Sequence, residues 1–299
     1  MKTRMVNRIV NKYLLHNRSI QFKSEDEFNS FMERRKDINR AKHKQPPTLN
    51  VKANLDKLSL GDMQVFRFNF RHEKNQKILY LHGGYNTLQP SPFHWRLLDK
   101  LTLNTLHEVV LPIYPKSPDY HYLETFKAIR DVYNQLVEEV GANNIVMMGD
   151  GSGGGLALSF VQSLINDNQE VPRKLFLLSP LLDATLTNPN ITKTLEENDI
   201  LVSRFGVHQL MKSWTNDLPL SDARISPLYG TLKGLPPIYM YGGGREILSP
   251  DMHAFTHALE ECGNDVEFKE YPKMVHDFPI YPIRQSHKVL KHITKSILE

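Results

Sequence analysis

Short apolar runs, separated by stretches of helical periodicity, are the feature of this sequence that most restricts its fold. The runs lie at 78–81, 109–111, 145–148, 175–178 and 238–241. Strands that are buried on both faces have such unbroken apolar sequences, because helices cover a parallel sheet on both sides. The alternation of these runs with helical stretches, such as 122–140, therefore predicts an α/β fold with a mostly parallel central sheet flanked by helices.

Two segments do not fit this alternation. Near the N-terminus, Ser24-Glu25-Asp26-Glu27 has the spacing of a capping box, and Phe28, Phe31 and Met32 follow at helical spacing, so a helix begins there. The range 184–222 interrupts the rhythm of strands and helices and contains a helical pattern near 205–214. We therefore predict a helical appendage over about the first 45 residues and an insertion at 184–222.

Further elements are predicted on either side of the alternating region. The range 51–70 alternates in polarity as strands do, and 238–241 is the last strand that the sequence predicts. After this strand, both ends of a helix are marked. Ser249 stands at the N-cap with Pro250 at the first helical position, and Cys262-Gly263 ends the helix.

Composition and charge exclude several classes of protein. The 299 residues carry a net charge of only +4, from 37 basic and 33 acidic residues, so a nucleic-acid partner is not indicated. No apolar run reaches the roughly 18 to 20 residues that a membrane helix needs. The single cysteine, Cys262, cannot form an internal disulfide. We therefore expect a soluble, cytoplasmic protein without integral membrane association. The basic start, 1–15, fits an amphipathic helix that either packs on its own domain, as we expect, or lies on a membrane.

A glycine-rich turn, 149–155, directly follows the run 145–148 and precedes a helical pattern. Three interpretations are open. As a nucleophile elbow, the turn would place a serine, Ser152, at the carboxyl edge of the sheet. As a GxGxxG motif formed by Gly149, Gly151 and Gly154, it would hold the pyrophosphate of a dinucleotide at a helix N-terminus. In the third interpretation the glycines serve close packing only.

Two further features favour the elbow. His82-Gly83-Gly84-Tyr85 follows the run 78–81, and adjacent glycines let backbone N–H groups face a developing oxyanion. Glu246 follows the run 238–241 and His276 stands near the C-terminus, so the chain order is serine, acid, histidine, as in α/β-hydrolases. In this arrangement His276 takes the proton of Ser152 as general base, and Glu246 holds the imidazole. Asp251 is the alternative acid.

The motifs of this chain resemble those of the hormone-sensitive-lipase-like family of α/β-hydrolases, whose hallmarks are HGGG and GDSAGG segments. The matching segments, from about residue 78 to 280, are His82-Gly83-Gly84, Ile113-Tyr114-Pro115 with Pro118, Gly149-Asp150 with Gly153-Gly154, Ser179-Pro180, Ser226-Pro227, Leu235-Pro236-Pro237 and His276-Asp277-Phe278. The resemblance implies an α/β-hydrolase fold with a helical cap and the activity of a carboxylic-ester hydrolase, an esterase or lipase. It also implies an oxyanion hole formed by the N–H groups of Gly83 and Gly84, with one from Gly153.

The resemblance further implies that the cap consists of the two segments outside the alternation. The chain then divides into an N-terminal helical cap segment (1–45), a first part of the core (46–183), the cap insertion (184–222) and a second part of the core (223–299).

One position departs from the family pattern. Aligned on Gly149-Asp150 and Gly153-Gly154, the family's nucleophile falls on Gly151, and Ser152 takes the place of the alanine that follows it. Ser152 can act as nucleophile only if the turn is rebuilt. The alternative is a catalytically silent α/β-hydrolase fold that binds a small apolar ligand or a protein partner. Tyr85, in place of the third glycine of HGGG, either narrows the acyl pocket or contributes a hydroxyl.

We therefore predict a serine esterase that hydrolyses small or medium acyl esters and needs no cofactor. We also predict no metal site, because His253 and His257, four residues apart on a helix, lack the acid of an HExxH motif. The predicted partner is a small-molecule ester substrate. The sequence does not fix the oligomeric state and leaves a dimer open.

Overall fold

The computed structural model describes residues 19–69 and 76–299, so the predicted helix within 1–15 lies outside the described residues. The described residues form one eight-stranded sheet with helices against it, which confirms the predicted α/β class. In chain order the strands are β1 (Asn54–Leu60), β2 (Met63–Asn69), β3 (Lys77–Leu81), β4 (Glu108–Pro112), β5 (Ile145–Asp150), β6 (Lys174–Leu178), β7 (Ile238–Gly243) and β8 (Val266–Tyr271).

The helices lie between these strands and at both ends of the described chain. They are α1 (Glu25–Arg40), α2 (Pro92–Thr105), α3 (Tyr122–Val140), α4 (Gly151–Asn166), α5 (Lys193–Asn198), α6 (Arg204–Thr215), α7 (Ser249–Glu261) and α8 (Arg284–Leu298). The capping box of α1 forms in part as predicted, since the Ser24 hydroxyl accepts a hydrogen bond from the backbone N–H of Glu27.

The sheet has the strand order β1-β2-β4-β3-β5-β6-β7-β8. β1 pairs antiparallel with β2 and β2 antiparallel with β4, whereas all other pairs are parallel. Every residue of β3 and β5 is buried, while the edge strands β1 and β8 are largely exposed or half-buried. The unbroken apolar runs therefore belong to strands at the centre of the sheet, as their composition predicts.

The carboxyl ends of the parallel strands meet at one edge of the sheet, where ligands bind in open α/β folds. The loop 82–86 follows β3 at this edge, and the glycine-rich turn follows β5. The loops after β6, β7 and β8 carry Ser179, Glu246 and His276 respectively. Residues almost 200 positions apart in the chain are thereby brought to one place.

The predicted C-terminal end of α7 is confirmed, whereas the predicted N-cap, Ser249, is wrong. Gly263, just beyond the helix, has a φ of +73°, a left-handed conformation that glycine adopts without strain. At the start, however, Leu248 is the N-cap and Ser249 is already helical. The reason is that the Ser249 hydroxyl donates to the carboxylate of Glu270 on β8 and so does not cap the helix.

The two segments predicted to form a cap contact each other. The backbone N–H of Ile20 donates to the carbonyl of Leu201 (2.9 Å), and the Ser203 hydroxyl donates to the carbonyl of Ile20 (3.0 Å). Helix α6 also contacts the core, because Trp214 Nε1 donates to Thr125 Oγ1 of α3. The division into cap and core stays a prediction. None of the described helices combines the length and the apolar character that crossing a membrane requires.

Candidate active site

At the glycine-rich turn, β5 is followed directly by α4, with no residue between them. Asp150 ends the strand, and Gly151 begins the helix with a φ of +52°. A side chain at this position would be held in the left-handed region, as the strained nucleophile of an elbow is. Gly153 lies so close to the backbone of Leu81 and His82 that a Cβ atom there would overlap them. Part of the glycine content thus serves close packing.

Glu246 and His276 are brought together as predicted. His276 Nδ1 lies 2.6 Å from Glu246 Oε2, and both side chains are buried. The other oxygen of Glu246 accepts hydrogen bonds from the Ser179 hydroxyl (2.8 Å) and from the backbone N–H of Gly243 (2.6 Å). The carboxylate is therefore fixed by donors from the loop after β6 and from the end of β7. It holds the Nδ1 proton of His276, which leaves Nε2 to exchange protons.

His276 Nε2 faces the turn at Gly151. It lies 3.3 Å from Asp277 Oδ2 and 3.4 Å from the Tyr85 hydroxyl, and a Cβ atom built on Gly151 would lie 3.4 Å from it. Burial by itself lowers the pKa of His276, but the carboxylates of Asp277 and Glu246 outweigh burial and raise this pKa to about 9. The imidazole is thus protonated at neutral pH.

Ser152 lies elsewhere on the turn. Its Oγ atom is buried and makes no hydrogen bond within the described residues, and it lines a small cavity beside α6. The structure therefore does not join Ser152 to His276, in contrast to Glu246. Asp251, the alternative acid, accepts a hydrogen bond from Asn188 (2.9 Å), and burial raises its pKa to about 6. Of the two candidate acids, only Glu246 contacts His276.

The predicted oxyanion loop lies beside the turn, but its glycines differ in their roles. The backbone N–H of Gly83 donates to Asp150 Oδ1 (3.0 Å), so this donor is already used, contrary to the expectation that it faces the oxyanion. Gly84 has a φ of +125°, which favours glycine, and its N–H makes no hydrogen bond among the described residues. Gly153 remains a predicted donor on the helix side of the site.

Three residues at the site were not singled out from the sequence. Asp277 contacts His276 Nε2. The sequence did offer a signal for this residue, because Asp277 stands in His276-Asp277-Phe278 where the family has glycine. The Ser179 hydroxyl donates to Glu246 and accepts a hydrogen bond from the backbone N–H of Asp277 (3.1 Å). The sequence signal for this residue was the Ser179-Pro180 segment. Asp199, from the insertion, accepts the N–H of Ile247 (3.0 Å), for which the sequence gives no signal.

The geometry disfavours the dinucleotide interpretation of the turn. A pyrophosphate at the N-terminus of α4 would meet the carboxylate of Asp277, which lies 3.4 Å from the Cβ position of Gly151. His253 and His257 make separate contacts, with Glu270 and Glu261 respectively. Within the described residues, no three potential metal-binding side chains are grouped together.

Comparisons with known proteins agree with this architecture. A family model described as an alpha/beta hydrolase fold matches residues 78–280. An esterase from Acinetobacter venetianus is 31% identical over 239 residues, which are 79% of this chain and 77% of that protein. A crystal structure of a proposed esterase from Staphylococcus aureus is 64% identical with a TM-score of 0.95, covering 97% of this chain and 99% of the other. An esterase from the bacterial hormone-sensitive lipase family has the same fold, with a TM-score of 0.83 at 20% identity over 98% of this chain and 97% of its own.

Proposed function

This chain belongs to the α/β-hydrolase family, and because its motifs and relatives are those of hormone-sensitive-lipase-like esterases, we propose that it hydrolyses carboxylic esters. The observation that carries the proposal is the pair Glu246–His276, buried at the carboxyl edge of the sheet with Nε2 directed at the elbow turn. The substrate is a small-molecule ester, and the reaction proposed here needs no cofactor. We place the protein in the cytoplasm.

In the proposed reaction, which proceeds from the neutral form of His276, Ser152 Oγ attacks the carbonyl carbon of the ester, and its proton passes to His276 Nε2. His276 then gives this proton to the departing alkoxide, so that the alcohol leaves and an acyl-enzyme remains. Water then attacks the carbonyl carbon of the acyl-enzyme and gives a proton to His276 Nε2. His276 returns this proton to Ser152 Oγ as the acid leaves. The N–H of Gly84 supports the negative charge on the carbonyl oxygen in both steps.

This role of Ser152 requires a change at the turn, because its hydroxyl does not contact His276 in the structure. Side chains of consecutive helical residues point about 100° apart, so the Ser152 side chain points away from the direction that faces His276. The backbone at Gly151, the first residue of α4, must therefore rotate before Ser152 can react. Gly151 makes such a rotation easier, since glycine has a wider choice of backbone conformations than any other residue.

The experiment that tests the proposal combines a fluorophosphonate probe with the hydrolysis of a short-chain nitrophenyl ester. We expect mass spectrometry to find the label on Ser152, and we expect turnover to be lost in Ser152→Ala and His276→Ala. Ser159→Ala is the matched control, because Ser159 is also buried in α4 but donates to the carbonyl of Arg224, away from His276.

Other outcomes separate the parts of this proposal. Turnover that requires His276 without any label would mean that water attacks the ester directly, and the role of Ser152 would be wrong. If the protein turns over no ester and takes no label, the proposed function fails.

The second candidate function, ligand binding without catalysis, is favoured by one observation. The position that faces His276 Nε2 is occupied by Gly151, which has no hydroxyl. The relatives, which are named as enzymes, argue for catalysis. The same experiment decides between the two, since a binding protein would give neither label nor turnover.

A further inference from the structure

A small cavity lies between the elbow turn, the oxyanion loop and α6. Polar and apolar side chains both line it, and its volume of about 10 Å³ corresponds to about one water molecule or one small substituent. Its lining includes Asn86, Ser152, Leu156, Leu181, Met211 and Trp214. The cavity is too small for an alkyl chain of several carbons.

Two residues that line this cavity each have a buried polar atom without a hydrogen-bond partner among the described residues. Asn86 is 2% exposed and Ser152 is 4% exposed, and neither Asn86 Oδ1 nor Ser152 Oγ makes a hydrogen bond within the described residues. Buried polar atoms nearly always have a partner, because an unpaired acceptor loses the hydrogen bonds it makes in water. The Ser152 hydroxyl has a hydrogen of its own, whereas Asn86 Oδ1 can only accept, so Asn86 requires a ligand that brings a donor.

The position of the Asn86 side chain is fixed by its backbone. Asn86 has a φ of +51°, a left-handed conformation that asparagine tolerates better than most residues. Its carbonyl accepts the backbone N–H of Ser117 (2.8 Å), which ties the oxyanion loop to the loop after β4. The amide is therefore held two residues beyond Gly84, next to the place where the carbonyl of an ester is bound.

We propose that Asn86 is a specificity-determining residue, and that it accepts a hydrogen bond from a hydroxyl or N–H group that the substrate carries within about two bonds of the scissile carbonyl. This inference rests on the proposed function and narrows its substrate class to small polar esters. Apolar side chains of the cavity, Leu156, Met211 and Trp214, contact the carbon atom that bears the polar group. Ser152 lines the same cavity, so the bound group lies beside the elbow turn.

The polar group can belong to the acyl part or to the alcohol part of the ester. Two pairs of esters of equal size distinguish these sources. Ethyl glycolate and ethyl propionate differ by a hydroxyl in place of a methyl group on the acyl side. 2-Hydroxyethyl acetate and propyl acetate differ in the same way on the alcohol side.

The test measures kcat/KM for both pairs by titration of the released acid. We expect the wild-type protein to prefer the hydroxylated member of one pair by about tenfold, the value of one hydrogen bond of about 1.4 kcal/mol. In Asn86→Gly we expect this ratio to fall to about one. Glycine is free of strain at a φ of +51°, and the ratio is insensitive to a general loss of activity.

Asn168→Gly is the matched control, because Asn168 has a φ of +53° and lies on an exposed turn after α4. The ratio of kcat/KM values in this variant should equal that of the wild type. A wild-type ratio of one for both pairs would overturn the inference while the proposed function stands. So would a preference that survives in Asn86→Gly.

Failure of the proposed function is recognised separately. If the wild type hydrolyses none of the four esters, the same ratios are measured in a Gly151→Ser background. If that variant is also inactive, NMR of the Asn86 side-chain amide decides. We expect this resonance to shift with a hydroxylated ester and not with its apolar counterpart, and an equal response to both members of each pair would overturn the inference.

Discussion

At the residue scale, Gly151 stands where a serine side chain would face His276 Nε2 and complete a triad with Glu246. Glu246, His276 and the turn are arranged around Gly151, and a Cβ atom on Gly151 would lie 3.4 Å from its nearest neighbours outside the adjacent residues, which is ordinary van der Waals contact. The left-handed backbone at this residue costs glycine nothing, whereas a serine would be strained there. The structure thus keeps the geometry of an elbow while removing its strain.

We therefore predict that Gly151→Ser gains activity. The new hydroxyl would lie within reach of His276 Nε2, and we expect kcat/KM for a short-chain ester to rise by about 100-fold or more, with fluorophosphonate labelling moved to residue 151. Gly61→Ser is the control, since Gly61 has a φ of +57° and open space around it. A variant with the stability of this control and no gain in turnover would contradict the prediction.

A second prediction at this scale concerns pH. His276 can accept a proton only when neutral, and its pKa is raised to about 9, so ester hydrolysis should increase as the pH rises towards 9. Asp277→Asn removes one of the three carboxylates, those of Asp277, Glu246 and Asp199, that raise this pKa, and asparagine tolerates the φ of +55°. We expect the midpoint of the pH–rate profile to fall by about one unit.

The measurement is kcat/KM from pH 5 to 10, together with NMR titration of the His276 ring. An unchanged midpoint in Asp277→Asn would mean that Asp277 does not hold the proton on His276. Asp265→Asn, a change on the loop before β8, provides the control for the loss of one negative charge.

The sequence predicted part of this residue arrangement. The order of serine, acid and histidine in the chain was sufficient to predict that Glu246 pairs with His276, because each of these two residues follows a strand of the same sheet. The contact between Asp277 and His276 Nε2 could not be predicted, since it depends on the left-handed backbone of Asp277. The direction of the Ser152 hydroxyl depends in the same way on the backbone of Gly151.

At the scale of elements, Asp150 joins three parts of the fold at the elbow. Its carboxylate accepts hydrogen bonds from the Tyr80 hydroxyl of β3 (2.7 Å) and the N–H of Gly83 in the oxyanion loop (3.0 Å), and it contacts His94 Nε2 of α2 (3.0 Å). Asp150 is fully buried. One side chain therefore fixes the oxyanion loop relative to the turn.

We predict that Asp150→Asn destabilises the protein and slows catalysis. An amide presents an NH₂ group where the carboxylate accepts, so at least one donor loses its partner in a buried place. We expect the free energy of unfolding to fall by about 2–4 kcal/mol, measured by urea denaturation. Asp167→Asn should change it by less than about 1 kcal/mol, because Asp167 forms an exposed ion pair with Arg130. Equal effects of the two changes would contradict this role of Asp150.

The element pattern was predictable where burial is continuous. The central strands follow from unbroken apolar runs, and their observed bounds extend the predicted ones by one or two residues. The antiparallel pairing of β2 with β4 was not predicted, because it joins strands separated in the chain by β3 and α2. The N-cap of α7 was mispredicted since a distant partner, Glu270, competes for the Ser249 hydroxyl.

At the scale of the whole molecule, the N-terminal segment and the insertion depend on each other. Gly206, in α6, lies so close to the carbonyl of Ile20 that any Cβ atom would overlap it. The insertion in turn reaches the active site, because Asp199 accepts the N–H of the residue after Glu246. The segment before α1 is thus connected to the active site through contacts of the insertion.

This connection predicts the effect of Gly206→Ala. Alanine favours the helix by about 1 kcal/mol, but the overlap with Ile20 should separate the N-terminal segment from α6. We expect amide exchange at Ile20 to accelerate at least tenfold, and KM to rise more than kcat falls. Lys212→Ala, on the exposed side of α6, is the control. Unchanged exchange at Ile20 would show that the two segments are not coupled.

The fold class was predictable from local patterns and the family resemblance, but the contacts between distant segments were not. Such contacts depend on backbone carbonyls, as at Ile20 and Leu201, which every residue possesses and no sequence motif marks.

The strand order also has a consequence for the time course of folding. His276 follows β8, which pairs at the far edge of the sheet with β7, the strand that precedes Glu246. During synthesis, which proceeds from the N-terminus, β3 and β5 can therefore pair well before the histidine leaves the ribosome. In refolding of the complete chain, the site likewise cannot be complete before β8 has joined the sheet, so ester hydrolysis should recover no earlier than the docking of this last β-strand.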